Sequence, residues 1–330
     1  MRALVLQSYG GREAMALTDV VVSAIVQETP SIKTFYLSRP DGSTMGEYTP
    51  GAHIDVVGPT AITRQYSLCS RPDGRESFAV AVKREDQSRG GSAALHELRV
   101  GDRLQISEPR NLLGIDSTAT HHVLVAAGIG ITPMLSMARY MDVHGISFEL
   151  HYFARTVDDA AFLPLLRERC PDKLHAHVGV GREAHGPILT AALESAPQGS
   201  HVYVCGPDGF MTKVRELAEQ FIPADAVHFE NFSATDQPDA SENTSFDVEL
   251  DGETYHVPAD RSIVEVLEEN GCDVDTSCQE GICGTCIMQV LSGEPEHRDN
   301  VLTKAERESG EVMAVCVSRT TGEKIVLDYY

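Results

Sequence analysis

Positive charge is scarce in this 330-residue chain: 27 Lys and Arg stand against 49 Asp and Glu, for a net charge of -22 at pH 7. Affinity for nucleic acid or anionic lipid rests on neutralising phosphates with basic side chains, so a general affinity for either is excluded. Long hydrophobic runs are missing too. The most apolar stretch, from about Val123 to Ala138, holds Gly, Thr, Pro and Ser. It falls short of the roughly 20 residues that cross a bilayer, and no membrane partner is expected. The N-terminal Met1-Arg-Ala-Leu-Val-Leu turns polar at Gln7 before the apolar core of a secretory signal develops, so the chain is expected to stay in the cytoplasm. Internal repeats are absent. The thirteen histidines fall in no metal-ligand spacing, and pairs such as His121-His122 and His175/His177 read as surface or core residues.

Length favours two or three domains, and 42% hydrophobic with 23% charged residues is a globular balance. Residues 18–113 carry short strands (Ile32–Leu37, Ala52–Val57, Gln65–Cys69, Phe78–Lys83, Arg103–Ser107) between Pro/Gly turns, which predicts an antiparallel β-barrel or sandwich. From about 120 to 232, buried strands alternate with helices, the pattern of an α/β parallel sheet. A polar linker follows. Beyond it, Phe246–Leu250 and Thr254–Val257 flank Asp251-Gly252 as a hairpin, and Ser262-Ile-Val-Glu265 forms a capping box ahead of a helix that should stop at Gly271. The boundaries read as 1–115, 116–233, linker 234–245 and 246–330, the last an α+β unit.

The strongest chemical signal is Cys278-Gln-Glu-Gly-Ile-Cys283-Gly-Thr-Cys286, with Cys316 after 29 intervening residues. Four thiolates at this spacing match the plant-type arrangement for a 2Fe-2S cluster. Gly281 and Gly284 suit a loop that wraps closely. A structural zinc site is the alternative, but zinc sites usually pair two CxxC motifs and one occurs here. Cys272, outside the spacing, reads as a packed thiol.

Two further motifs are suggestive. Arg64-Gln65-Tyr66-Ser67 lies on a strand, followed by Ala81-Val82-Lys83 and by Arg89-Gly90-Gly91-Ser92, whose turn amides would make an anion-binding concavity beside a phosphate-forking guanidinium. Gly128-Ile-Gly130-Ile-Thr132-Pro133 sits between strand and helix. It lacks the third glycine of a dinucleotide fingerprint, but Thr132 reads as an N-cap and Pro133 as the first helical residue, opening a helix end suited to pyrophosphate. Cys205-Gly206-Pro207 ends another buried strand, where ligands of open α/β sheets bind. Val227-His-Phe-Glu-Asn-Phe232 closes the second region.

Together these motifs resemble the ferredoxin–NADP reductase superfamily. The order flavin, nicotinamide, ferredoxin is similar to the phthalate dioxygenase reductase and vanillate demethylase reductase group over residues 18–330. The resemblance implies a β-barrel flavin domain, an α/β nucleotide domain and a β-grasp ferredoxin domain. It assigns Arg64 to the flavin phosphate, Tyr66 to the isoalloxazine and Ser67 to a hydrogen bond near the reactive N5, with Gln65, residues 81–83 and 89–92 also on the flavin. Gly128, Gly130, Thr132, Pro133, Cys205, Gly206 and Pro207 fall to the nicotinamide nucleotide. Phe232 takes the place of an aromatic that stacks on the flavin until nicotinamide displaces it. Ser67, Cys205 and Phe232 thereby line the hydride-transfer site. The implied cofactors are FMN, NADH and a 2Fe-2S cluster; the implied partner is a terminal oxygenase, typically a Rieske non-haem iron protein. A reductase for another acceptor such as a cytochrome, or a redox-sensing module, is the alternative. In Ala154-Arg155-Thr-Val-Asp158-Asp159, where the adenosine ribose would sit in this fold, Arg155 could hold a 2′-phosphate, but two carboxylates close behind should repel one, favouring NADH over NADPH. Residues 234–330 hold 22 acidic and 6 basic side chains, a net of -16 out of -22, which is expected to serve as a docking face or simply for solubility.

Overall fold

The structure, a computed structural model, describes residues 17–74, 76–85, 90–233, 241 and 243–330. Arg89 and most of the 234–245 linker lie outside the described residues. Three sheets succeed one another along the chain. The first is built from β1 (Thr18–Thr29), β2 (Ile32–Ser38), β3 (His53–Val57), β4 (Thr63–Ser67), β5 (Phe78–Lys83) and β6 (Arg103–Ile106), with the short helix α1 (Gly91–His96) between the last two. Its order is β4-β3-β6-β1-β2-β5, antiparallel throughout, and a bridge from Leu68 to Val80 joins its two edges into a barrel. Alternation along β5 explains how this barrel serves two surfaces. Phe78, Val80 and Val82 fill its interior, whereas Ala79 and Ala81 face out into the core of the next sheet.

That second sheet is parallel, in the order β11-β10-β7-β8-β9, from β7 (His121–Ala127), β8 (Phe148–Ala154), β9 (Leu174–Val178), β10 (Ser200–Cys205) and β11 (Val227–Glu230). Helices α2 (Ile131–His144), α3 (Leu163–Arg169), α4 (Arg182–Ser195) and α5 (Asp208–Ala218) supply the crossovers. Burial on both faces is why β7 is almost continuously apolar. The glycine turn forms a 3₁₀ turn over Gly128–Gly130 that runs into α2, so the expectation that Thr132 caps the helix is corrected. Gly130 occupies the cap position, and Thr132, buried within the first turn, donates its hydroxyl to the Ile129 carbonyl at 3.0 Å. Pro133 is consequently the third helical residue, still within the turn whose N–H groups lack internal acceptors.

The third sheet, β13-β12-β18-β14-β16, comprises β12 (Phe246–Leu250), β13 (Glu253–Val257), β14 (Ile287–Ser292), β16 (Val312–Ala314) and β18 (Lys324–Asp328); β15 (Pro295–Glu296) pairs with β17 (Arg319–Thr320). The β12–β13 hairpin turns on Asp251 (φ 54°) and Gly252 (φ 81°), and both halves of the Ser262/Glu265 capping box start α6 (Ile263–Glu269). A second capping box, Thr303/Glu306, starts α7 (Lys304–Ser309). Ile263, Val264 and Leu267 of α6 pack on Phe246, Val248, Ile325 and Leu327. Each such side chain contributes about 1.5–3 kcal/mol relative to exposure, so this unit has a core of its own. Among the described residues no helix is long and apolar enough to cross a membrane.

Candidate functional site

The cysteine loop runs from α6 to β14, and Cys278, Cys283, Cys286 and Cys316 are all buried, free thiols. Its wrap requires glycine. Gly281 has φ 71°, and a Cβ there would meet Val317 Cγ2 at 2.7 Å and Asp299 Cα at 3.0 Å. Backbone amides of Glu280 and Thr285 point at the sulfurs of Cys278 and Cys283, at 3.3 and 3.5 Å. Cys278 donates to Cys283 across 3.1 Å, which holds the Cys283 thiol well below its ordinary range and pushes Cys278 up; Cys286 acts likewise on Cys316, raising it. Four sulfurs this crowded cannot all ionise without a cationic centre among them. The donor set and the amides aimed at it therefore fit a 2Fe-2S cluster.

Strand β4 presents Arg64, Gln65, Tyr66 and Ser67 at the other half of the site. A Cβ on Gly91 would stand 3.2 Å from Arg64 Cγ, so the glycine turn is a cradle along the arginine stem, and Gly90 holds φ 106°. Tyr66 is half-buried, and burial lifts its hydroxyl to about 12, keeping it a neutral ring. This guanidinium, turn and aromatic fit a flavin with its phosphate. Ala81 faces the second sheet, Val82 turns into the barrel core and its carbonyl meets His96 Nε2 at 2.9 Å, and exposed Lys83 pairs with Glu85 at 2.7 Å. Ser92 accepts from the Glu85 amide at 3.2 Å.

The Gly128–Pro133 and Cys205–Pro207 motifs meet through glycine. A Cβ on Gly130 would lie 2.3 Å from the Cys205 carbonyl oxygen and 2.7 Å from the Gly206 nitrogen, so the turn rests directly on the end of β10. Gly206 is nearly as confined, by Ala127 and Phe210, while a Cβ on Gly128 meets nothing within 4 Å and leaves an open face for a ligand; Pro207 is exposed beside it. Gly130→Ala is expected to strain this junction by about 1–3 kcal/mol and to raise KM for NADH about tenfold, read by steady-state ferricyanide reduction beside a melting curve. An unchanged KM in a folded variant counts against the junction as the nucleotide site.

Where barrel and second sheet join, β4, β10 and β11 converge. The buried Ser67 hydroxyl donates to Glu230 Oε2 at 3.2 Å, Glu230 is the register partner of Cys205, and His53 Nδ1 lies 3.6 Å from Glu230 Oε1. Burial first, then the Glu230 charge, pushes the Cys205 thiol well up, so it is a neutral thiol rather than a nucleophile. Glu230 and His53 were not singled out by sequence reasoning. A carboxylate at the buried end of β11, where apolar residues are expected, was the available signal. Phe232 lies two residues beyond, 36% exposed, and the residues around it are tied to the third unit: Asn231 Nδ2 donates to the Asn300 carbonyl at 2.8 Å, and Asn300 Nδ2 to the Ser233 carbonyl at 3.1 Å.

The cysteine loop docks on β3 and β4 through a second set of polar contacts that sequence reasoning missed. Asp55, fully buried on β3, accepts from Arg110 Nη2 and from Ser277 Oγ, both at 2.6 Å; Arg110 Nη1 donates to Thr285 Oγ1 at 2.6 Å. Gln65 Nε2 reaches Ser277 at 3.4 Å, and Arg64 Nη2 lies 3.5 Å from Glu280 Oε1. Ser277 adjoins Cys278, and Thr285 lies between Cys283 and Cys286. The cysteine-bearing loop is thus held against the strand that carries Arg64 to Ser67.

Comparison with known proteins covers both halves of this arrangement. Residues 246–321 match the 2Fe-2S iron-sulfur cluster binding domain family, and residues 106–226 the family described as dimethylamine monooxygenase subunit DmmA-like, N-terminal domain. The solved structure titled phthalate dioxygenase reductase, a modular structure for electron transfer from pyridine nucleotides to [2Fe-2S], superposes with a TM-score of 0.71 at 36% identity, covering 94% of this chain and 98% of that one. An intact type IV self-sufficient cytochrome P450 monooxygenase superposes with a TM-score of 0.83 at 37% identity, but the matched region is 41% of that longer chain. Vanillate O-demethylase oxidoreductase from Pseudomonas sp. (strain HR199 / DSM 7063) is 40% identical over 318 residues, 94% of this chain and 100% of that protein. With likeness running through the barrel, the glycine junction and the cysteine loop alike, the chain belongs to the vanillate O-demethylase oxidoreductase and phthalate dioxygenase reductase family.

Proposed function

We propose that the chain is the reductase component of a multicomponent oxygenase, taking electrons from NADH through FMN and a 2Fe-2S cluster to a terminal oxygenase, with Rieske non-haem iron proteins the favoured acceptor class. NADH gives two electrons as hydride, the cluster takes one at a time, and a flavin handles both. The functional units are residues 1–115 for FMN, 116–233 for NADH and 246–330 for the cluster, joined by 234–245. The single observation that carries this reading is the contact of the cysteine loop with the flavin strand through Asp55, Arg110, Ser277 and Thr285. Arg64 and the Gly90-Gly91-Ser92 turn hold the flavin phosphate, Tyr66 covers its ring, and Ser67, bonded to Glu230, keeps a hydroxyl at the reacting edge. The glycine junction at Gly130, Cys205 and Gly206 holds the nicotinamide half, and Phe232 guards its place beside the ring. Eight free cysteines suit a reducing setting, and we place the protein in the cytoplasm. Anaerobic NADH should bleach both flavin and iron–sulfur absorbance of the purified protein. A protein whose iron–sulfur band never responds would rule the pathway out. The P450 monooxygenase match favours a second reading, in which the acceptor is a cytochrome; turnover with each acceptor class decides between them.

Selectivity for NADH should follow from the end of β8, where exposed Arg155 is followed by Asp158 and Asp159. Two carboxylates repel a 2′-phosphate, and a loss of about 1.4 kcal/mol is already tenfold. Steady-state constants are expected to favour NADH by kcat/KM, and equal use of NADPH contradicts this placement. The -16 net charge of residues 234–330 should steer a basic patch on the oxygenase. Charge affects the association rate of small transient redox complexes more than buried area does. With a Debye length of about 8 Å at physiological ionic strength, salt should slow transfer to the oxygenase while flavin-to-cluster transfer inside one chain stays nearly constant. Stopped-flow traces showing equal salt sensitivity for both steps remove the steering role.

A further inference from the structure

We propose that Glu149, His151 and His175 form a binding site for a zinc-like divalent cation on the parallel sheet, apart from the cluster cysteines and the flavin strand. Glu149 and His151 lie two residues apart on β8, hence on one face, and the register places His175 of β9 opposite His151. His151 Nε2 stands 3.5 Å from Glu149 Oε1, and His175 Nε2 stands 3.6 Å from Glu149 Oε2. Those separations are long for hydrogen bonds but close to the edge, about 3.4 Å, of a tetrahedron with metal–ligand bonds of about 2.0–2.1 Å. One ligand atom from each residue lies within 4.8 Å of the other two. The His151 and His175 rings stack with centroids 4.6 Å apart, and a turn of the more exposed His175 brings its nitrogen onto a shared ion.

A second observation points the same way. His151 is 5% exposed, yet its Nε2 makes no hydrogen bond, while its Nδ1 lies 3.1 Å from His177 Nε2. With the proton on Nδ1, His151 donates to His177 and presents a lone pair at Nε2, the outer support that metal-bound histidines commonly have. The site gathers imidazole nitrogens of His151 and His175 and a carboxylate of Glu149. Two imidazoles and one carboxylate suit Zn²⁺, Ni²⁺ or Cu²⁺ rather than Mg²⁺ or Ca²⁺, and a fourth position stays open to solvent. Because β9 is the sheet edge, the ion would clip that strand to β8.

Calorimetric titration of the holoprotein with ZnCl₂, its cluster absorbance monitored throughout, tests this. One equivalent should bind more tightly than any other, with MgCl₂ giving no comparable heat. His175→Ala and Glu149→Gln should each remove that equivalent, and His177→Phe should weaken it about 10–100-fold, as loss of an outer support does. NADH–ferricyanide turnover, which none of the three side chains serves, should be unchanged and reports that each variant is folded. Zinc binding of equal stoichiometry and affinity in wild type and both ligand variants, or no zinc binding by wild type, overturns the proposal.

Discussion

Cys283→Ser is expected to abolish delivery of electrons to the oxygenase while leaving NADH–ferricyanide reduction close to wild type. A hydroxyl is a poor substitute for the thiolate that an iron–sulfur cluster requires. Cys283 also accepts from the Thr285 amide, so its loss removes a contact that shapes the ligand loop as well as a ligand. The barrel and the parallel sheet have apolar cores separate from that of the third unit, so flavin and nucleotide sites should survive. Oxygenase turnover should fall about a hundredfold or more, equivalent to about 2.7 kcal/mol or more on the barrier. Iron and sulfide analysis, the visible spectrum and the two turnover assays measure it together. Full oxygenase turnover by cluster-free protein would falsify the proposed electron path.

Much of this was legible because the informative signals are local. The Asp251-Gly252 turn, the Ser262/Glu265 box and the Cys278–Cys286 spacing each specify their geometry within a few residues, and the structure reproduces the turn and the box directly. Errors arise where a local signal competes with packing. A Gly-Pro pair ordinarily breaks a helix, yet α4 runs through Gly186-Pro187 from Arg182 to Ser195, with the proline in its second turn and Gly186 close to Lys213 of α5. The long β1 strand was missed because register shifts after Val22 and Gln27 break its alternation. Thr132 has the composition of an N-cap, yet the glycine turn coils one step earlier and takes the cap position. The groupings around Glu230, His53 and Asp55, and the meeting of His175 with Glu149 and His151, escaped the sequence for a different reason. Their members come from different strands, so chain spacing carries no trace of the contacts until register brings them together.

Combined Ser277→Ala and Thr285→Val substitution is expected to slow flavin-to-cluster electron transfer about tenfold or more with hydride transfer from NADH unchanged. Electron transfer between bound groups depends on holding them in one geometry, and a misplacement of about 1 Å can cost an enzyme about 10²-fold. Ser277 and Thr285 are the cluster loop's two bonds to the buried Asp55–Arg110 pair, each 2.6 Å long, and hydrogen bonds to charged groups contribute about 1.5–3 kcal/mol. Their removal leaves Arg110 Nη2 on Asp55 at 2.6 Å, so the barrel keeps its ion pair and only the docking loosens. Asp55→Ala is the less informative change. It strands a largely buried guanidinium at a cost of about 3–5 kcal/mol and threatens the barrel itself. Stopped-flow absorbance separates the two steps in one mixing experiment, and the cluster's own spectrum reports whether its ligands are intact. A change confined to the second rate, with both spectra unaltered, identifies Ser277 and Thr285 as positioning residues. Rates that fall together mean general damage, and rates that both hold mean that the docking contact does not set the transfer geometry.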